Sequence, residues 1–314
     1  MIKHEKLGEG TFGIVYSGYS PKTNRQVAIK RNLIEGDMSF IGVARELDIL
    51  VKLRNHPYII RIEEVSFDHP FREECFSPLI GNERINQKDD KIHFIFKQAA
   101  YDLSKFIYAA SVTDFWLIKR YMINILLGVE YLHFNKIIHR DLKPSNILIF
   151  GDEKDVMGTS NVAKICDFGL SKPYTNQGIQ TPNTVTSWYR APEITIGYPN
   201  YDYKVDVWSL GCILFEMVGK TPFLPDVNDD NDEILAAILY KLPEQLSIRQ
   251  HRELVKNNKW RKIKLTSKYN SRVRRNIYDQ LGFTVEGLRQ FEREAGNISD
   301  FCDLLNKMLK FDWT

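Results

Sequence analysis

Short runs of β-prone residues fill the first hundred positions of this chain, and helical recurrence of apolar residues takes over afterwards. Ile14-Val15-Tyr16 and Gln26-Val27-Ala28-Ile29-Lys30 are such runs, separated by the turn formers Ser20-Pro21-Lys22-Thr23-Asn24. Ile41, Ala44, Leu47, Ile49, Leu50 and Leu53 then recur at roughly helical spacing, which predicts a helix. Residues 59–65 and 92–96 predict two more strands, and the polar stretch 66–91 between them reads as a long surface excursion. Past about residue 103 the spacing predicts helices over 115–134, 205–218, 234–240 and 299–310. A β-rich beginning and a helix-rich remainder, with no internal repeats, give an α+β protein with segregated lobes.

Composition changes this picture little. The chain has 314 residues, 43% apolar and 26% charged, enough to bury a sizeable core. Basic and acidic residues nearly balance, 43 against 40, so net charge by itself calls for neither a nucleic-acid nor a membrane partner. Cys75, Cys166, Cys212 and Cys302 have neither metal-ligand spacing nor the density of a disulfide framework, which favours a reducing compartment. The opening MIKHEKLGEG has no apolar signal-peptide core. The stretch 205–218 is too short to span a bilayer and carries Asp206 and Glu216, so it reads as a buried helix. These features lead to the expectation of an intracellular protein, cytoplasmic or nuclear, with no membrane partner.

Five motifs carry the chemistry. Gly8-Glu9-Gly10-Thr11-Phe12-Gly13 is followed by β-branched residues, a turn and another strand rather than by a helix, so it reads as a hairpin tip able to lie close over phosphates. Lys30 ends the next apolar run, seventeen residues beyond Gly13, and is placed to clamp α- and β-phosphates. Glu46, on the following helix, is its natural partner. In His139-Arg140-Asp141-Leu142-Lys143-Pro144-Ser145-Asn146, held between apolar runs, Asp141 can accept a hydroxyl proton. Lys143 there can neutralise a transferring phosphate, and Asn146 can bind a metal. Asp167-Phe168-Gly169 supplies a second metal ligand in Asp167, and hard oxygen donors suit Mg2+. Ala191-Pro192-Glu193 follows, its start twenty-four residues after Asp167.

In this order, and over nearly the whole chain, these motifs resemble the eukaryotic protein kinase family, serine/threonine class. The resemblance implies a bilobal fold: a small β-rich N-lobe over 1–96, a hinge at 97–101 and a larger helical C-lobe over 102–314. ATP would lie in the cleft with Mg2+. Leu7 and the glycine loop would contact the nucleotide, and Phe96 would be the gatekeeper before a hinge of Lys97 to Ala99. Val15, Ala28 and Leu148 would enclose adenine, Asp102 would reach the ribose, and Asp206 would brace the catalytic loop. Lys143 resembles the serine/threonine class. Thr186-Ser187-Trp188-Tyr189-Arg190, at the end of an activation segment spanning 167–193, is similar to the cyclin-dependent and MAP kinases, whose substrates carry proline after the target. The same alignment puts Thr181 at an activating phosphothreonine, with Arg45, Arg140 and Lys172 to receive the phosphate, and a cyclin-like partner at the Glu46 helix.

The chain also departs from that pattern. Asn183 stands where MAP kinases have their second phosphorylated residue, and Phe12 stands where cyclin-dependent kinases carry an inhibitory tyrosine. Only the end of the cyclin-binding helix motif, Arg45-Glu46, is matched. The stretch 241–298 resembles a group-specific insert. The chain stops at Thr314, short of the arginine that related kinases pair with the glutamate matching Glu193, which leaves open a fragment or a divergent end of the fold. Residues 256–275 hold nine cations (Lys256, Lys259, Arg261, Lys262, Lys264, Lys268, Arg272, Arg274, Arg275) and no acid, leaving the remainder of the chain net negative. That stretch is either a solvated face or a docking patch for an acidic partner or nucleic acid. Two alternatives to an active kinase stay open at this point: a catalytically silent pseudokinase scaffold and a nucleic-acid-binding module.

Overall fold

The computed structural model describes residues 2–10, 13–33, 37–68, 91–109, 114–151, 160–174, 187–198, 200–224, 230–242 and 276–310. They form a β-rich part and a helical part, arranged as two compact units: Met1–Asp102 with Leu148–Ser171, and Leu103–Ile147 with Lys172–Thr314. No helix among the described residues is long and apolar enough to cross a membrane. Thr11, Phe12, residues 69–90, Thr181 and the basic stretch 256–275 lie outside the described residues.

The first unit is built on an antiparallel sheet of five strands in the order β1-β2-β3-β5-β4. These are β1 (Ile2–Gly10), β2 (Gly13–Ser20), β3 (Arg25–Asn32), β4 (Ile62–Asp68) and β5 (Lys91–Lys97). The pairings Val15↔Lys30, Ser17↔Ala28, Lys30↔Phe94 and Ala28↔Phe96 put Val15, Ala28, Lys30, Phe94 and Phe96 on one face. Val27, Ile29 and Ile95 pack together on the other, each almost fully buried. Helix α1 (Asp37–Leu53) buries Val43, Glu46, Ile49, Leu50 and Leu53, one stripe of its surface. The remaining strands of this unit are β6 (Tyr101–Asp102), β8 (Ile147–Phe150, whose first residue belongs to the second unit) and β9 (Val162–Ile165), in the order β6-β8-β9.

One strand differs from the expectation. The apolar run at 59–60 does not open β4. Ile60 N–H donates to the Ile165 carbonyl (2.8 Å) and Ile165 N–H to that of Tyr58 (2.9 Å), fixing the buried Ile59 and Ile60 against β9. The strand begins at Ile62 instead and runs to Asp68, taking in residues expected in the surface excursion. Apolar character marks residues for burial without saying which neighbour will bury them.

In the second unit, α2 (Leu103–Ala109) and α3 (Phe115–Phe134) precede the short strand β7 (Ile137–Ile138). The four-residue α4 (Pro192–Thr195), α5 (Lys204–Gly219), α6 (Asn231–Lys241), α7 (Ile277–Leu281), α8 (Val285–Glu294) and α9 (Ile298–Met308) follow. Asp114 caps α3 by accepting from Leu117 N–H at 2.9 Å, and Asp230 caps α6 through Asp232 and Glu233 N–H, both at 2.9 Å. Helix α5 is buried on nearly every side, which is why its sequence is apolar all round. A Cβ on Gly211 would come within 2.8 Å of Leu309 Cδ2, so glycine permits the close approach of the segment ending α9. Cys166, Cys212 and Cys302 are free thiols.

Lys241, at the end of α6, places its ammonium 5.2 Å from the Phe223 ring centroid and 5.8 Å from that of Phe215. Burial lowers its pKa to about 8. The unfolded chain therefore binds more protons than the folded one between about pH 8 and the ordinary lysine value of 10.5, so this group adds stability as pH rises through that window. At pH 7 both states are charged and the full burial cost is present. Lys241→Met is thus expected to raise unfolding free energy at pH 7 by on the order of 1–2 kcal/mol, after allowing for the lost ring contacts. The gain should shrink towards zero by about pH 10.5. Urea unfolding of both proteins across that range checks it; a gain that does not change with pH would remove the charge as its cause.

Candidate active site

The first unit gathers a lysine and two carboxylates. Lys30 on β3 donates to Glu46 Oε1 at 2.6 Å and to Asp167 Oδ1 at 2.9 Å. Burial alone would lower the lysine pKa, but the two carboxylates more than reverse this and raise it, so Lys30 stays an ammonium throughout the physiological range. Burial pushes the Glu46 carboxyl up, Lys30 opposes that, and the second carboxylate of Asp167 adds to it. Glu46 belongs to the buried stripe of α1 and meets Lys30 from there. Asp167 follows β9 in a left-handed conformation, φ 60°, unusual for a non-glycine residue and a mark of a locally constrained site.

The glycines divide by cause. A Cβ on Gly13 would fall 2.4 Å from the Arg31 carbonyl oxygen, so packing of β2 on β3 requires a glycine there. Nothing lies within 4 Å of a Cβ placed on Gly8 or Gly10, and neither has a positive φ. The protein's own packing therefore does not account for these two, and the open space above them suits close approach of a ligand. Leu7 is exposed beside them, and Glu9 is exposed and paired with Lys6. Val15, Ala28 and Phe96 lie on the sheet face that carries Lys30, with Lys97 ending β5 and Ala99 just beyond it. Asp102 pairs with Leu148 between β6 and β8.

The second unit holds the other candidates. Asp141 is nearly buried, and its Oδ2 meets Lys143 Nζ at 3.0 Å and Asn146 Nδ2 at 2.9 Å. Both contacts fall on Oδ2, so Oδ1 receives neither. Asn146 also donates to the Asp141 carbonyl at 2.7 Å, and both its bonds use the amide nitrogen rather than the oxygen. The loop is held from beneath by Asp206, fully buried on α5. Its Oδ2 accepts from His139 N–H (2.9 Å) and lies 2.8 Å from His133 Nε2, while Oδ1 accepts from Arg140 N–H (2.9 Å). These bonds fix Arg140 at φ 70°, the turn that presents Asp141. His139 Nδ1 accepts from Asp141 N–H at 3.3 Å.

Of the expected phosphate receptors, Arg140 donates to the Tyr201 hydroxyl at 2.9 Å, and Lys172 pairs with Ile138 in a short strand, β10 (Lys172–Pro173). Arg45 belongs to α1, in the first unit. Sequence reading passed over Glu216. It accepts from Tyr189 at 2.6 Å and from Tyr108, and burial raises its pKa while the two hydroxyls oppose the rise. Ser209 donates to the Tyr189 carbonyl at 2.8 Å, so α5 grips Tyr189 at both ends and fixes the segment leading to Arg190. The signal was a carboxylate inside a wholly buried helix, which must find donors.

Among the described residues no group of three or more His, Cys, Asp and Glu could hold a metal ion. Each unit does carry one hard oxygen donor of the kind Mg2+ takes, the Asp167 carboxylate in the first and the Asn146 amide oxygen in the second.

A model of the protein kinase domain matches residues 1–314. A serine/threonine-protein kinase of Saccharomyces cerevisiae is 35% identical over 252 residues, covering 75% of this chain and 36% of the yeast protein. Cyclin-dependent kinase C-3 of Oryza sativa subsp. japonica is 34% identical over 222 residues, covering 70% of this chain and 64% of the rice protein. The chain thus spans about a third of one curated relative and just under two thirds of the other. Among solved structures, the yeast RNA Pol II CTD kinase CTDK-1 complex matches with a TM-score of 0.71 at 27% identity, covering 99% of this chain and 87% of that one.

Proposed function

Because the chain belongs to the protein kinase family, we propose that it transfers the γ-phosphoryl group of ATP to serine or threonine hydroxyls of protein substrates, as the cyclin-dependent kinases it is similar to do. The observation that carries this reading is Lys30 held between Glu46 and Asp167, at 2.6 and 2.9 Å. A silent scaffold has no need of an ammonium fixed between two carboxylates, nor of an oriented Asp141.

The roles follow from the chemistry. Adenine lies among Leu7, Val15, Ala28, Phe96 and Leu148, bonded to the backbone at Lys97 to Ala99, with Asp102 at the ribose. Gly8, Gly10 and Gly13 let the loop backbone approach the phosphates, and Lys30 clamps them. Asp141 Oδ1 accepts the proton of the substrate hydroxyl as its oxygen bonds to the γ-phosphorus and the bond to ADP breaks. Lys143 offsets negative charge on the moving phosphoryl group. Asp167 and Asn146 would hold Mg2+, which when bound supplies neutralisation of phosphate charge.

Substrate and control are narrower parts of the same reading. Arg190, donating to Asn231 at 3.2 Å, and the gripped Tyr189 belong to the segment that resembles proline-directed kinases. Proline lacks an N–H and leaves none unsatisfied in a site offering no acceptor. The RNA polymerase II CTD, the target named for CTDK-1, is the first protein substrate to try. Helix α1 turns Ile41, Ala44 and Val51 outward, an apolar face suited to a cyclin-like partner. Phosphate on Thr181 would bring Arg45, Arg140 and Lys172 into play, with Lys172 contributing only a point charge. The test is a peptide screen with ATP and Mg2+, run with and without a cyclin. Transfer to serine and threonine peptides that have proline next to the target is expected; equal use of all residues there ends the proline-directed reading, and no transfer under any condition ends the kinase reading.

A further inference from the structure

Three separate segments of the first unit bring cations together. Lys97 Nζ lies 5.9 Å and Lys164 Nζ 5.5 Å from the centroid of the same ring, that of Phe150. Lys97 ends β5, Lys164 lies on β9 and Phe150 ends β8. Arg61 is brought alongside by the backbone bonds that tie Tyr58 and Ile60 to Ile165, the residue after Lys164. Lys97 and Arg61 are exposed, Lys164 is half-buried and Phe150 is buried. Among the described residues no carboxylate pairs with any of the three cations.

Such an arrangement is unfavourable as it stands. Burial lowers the pKa of Lys164, and Lys97 and then Arg61 lower it further, so its charge is opposed by its surroundings from every side that acts on it. Protein surfaces ordinarily intersperse charges of both signs. The Phe150 ring offers its face to the ammonium groups but no countercharge. A tetrahedral dianion would relieve the repulsion. It carries roughly −1.5 to −2 charges and three acceptor oxygens, enough for two ammonium groups and a guanidinium fork together, where a lone carboxylate offers one charge and two oxygens.

We propose that Lys97 and Lys164, whose ammonium groups share the Phe150 ring, form with the neighbouring Arg61 a binding site for a phosphoryl group, either free phosphate or the phosphate of a phosphorylated side chain. None of its three residues is Lys30 or belongs to the glycine loop, and Lys97 enters through its side chain, not through the backbone proposed above to meet adenine. Arg61 supplies the planar fork, Lys164 the partly desolvated charge, and Lys97 an exposed charge that attracts the anion and is screened by salt.

The test is calorimetric titration of the full chain in low-salt buffer with two probes, inorganic phosphate and a phosphoserine peptide, the unphosphorylated peptide serving as control. Four proteins are compared: wild type, Lys30→Met, Arg61→Gln/Lys164→Gln and Lys164→Arg. Both phosphorylated probes are expected to bind wild type and Lys30→Met alike, to weaken by roughly tenfold or more in the double variant, and to recover in Lys164→Arg. Tighter binding of the peptide would identify a phosphorylated side chain as the source, and equal binding would identify the free anion. Loss confined to Lys30→Met would place the anion at the phosphate clamp and overturn the proposal. Equal binding to all four proteins, or to none, would overturn it as well. Circular dichroism of the double variant guards against misfolding, and Lys164→Gln alone, with a smaller loss expected, serves if the double variant does not fold.

Discussion

Replacing Asp141 with alanine is expected to lower kcat by roughly 10²- to 10⁴-fold, the usual cost of removing a general base. The KM for ATP should move far less than kcat, because the proposed role of Asp141 is toward the substrate hydroxyl and not toward the nucleotide. The carboxylate is already oriented: Lys143 and Asn146 both hold Oδ2, leaving Oδ1 for the hydroxyl proton. Asp141→Asn separates proton acceptance from position. The amide keeps an oxygen for Lys143 yet is a far weaker base, so it should lose nearly as much as alanine. Steady-state rates at saturating peptide, taken with ATP titrations, decide the matter. Activity within a few-fold of wild type in Asp141→Asn would leave Asp141 a positioning group and require another base.

Lys30, Glu46, Asp141, Asn146 and Asp167 could be singled out in the sequence because each proposed role demands a particular side chain at a particular interval, and the structure brings Lys30 to Glu46 and Asp167, and Asp141 to Asn146. The long helices were legible too, since α3 and α5 keep a helical spacing from end to end. What sequence could not supply was partnership. Ile59 and Ile60 announce burial but not that β9 would be what buries them. Lys97 reads as a hinge residue, and nothing in one dimension sets its ammonium over the same ring as Lys164. Glu216 reads as an interruption in an apolar helix until the hydroxyls of Tyr108 and Tyr189, far away in the chain, close on it.

Asp206→Ala is expected to cost both stability and turnover, for one reason. Asp206 is fully buried, and the donors it serves, His139 N–H and Arg140 N–H, have it as their shared acceptor, with His133 Nε2 beside them. Removing the carboxylate leaves two backbone donors without this partner, each costing about 1–3 kcal/mol where water cannot replace it. The loss in unfolding free energy should therefore be about 3 kcal/mol or more. The same bonds keep Arg140 at φ 70°, a conformation an arginine does not choose unaided. Once released, the turn relaxes and carries Asp141 with it; a displacement of about 1 Å can cost 10²-fold in rate. Asp206→Asn is the sharper probe. Its oxygen can serve one backbone donor, but its NH2 group must face the other, donor against donor. It should retain more stability than alanine and still lose turnover, with the KM for ATP unchanged because the Lys30 clamp is untouched. Chemical unfolding and ATP kinetics, both run well below the melting temperature of the variant, distinguish a local effect on the loop from general loss of fold. If Asp206→Asn matches wild type in kcat, the catalytic turn is held by something other than this carboxylate.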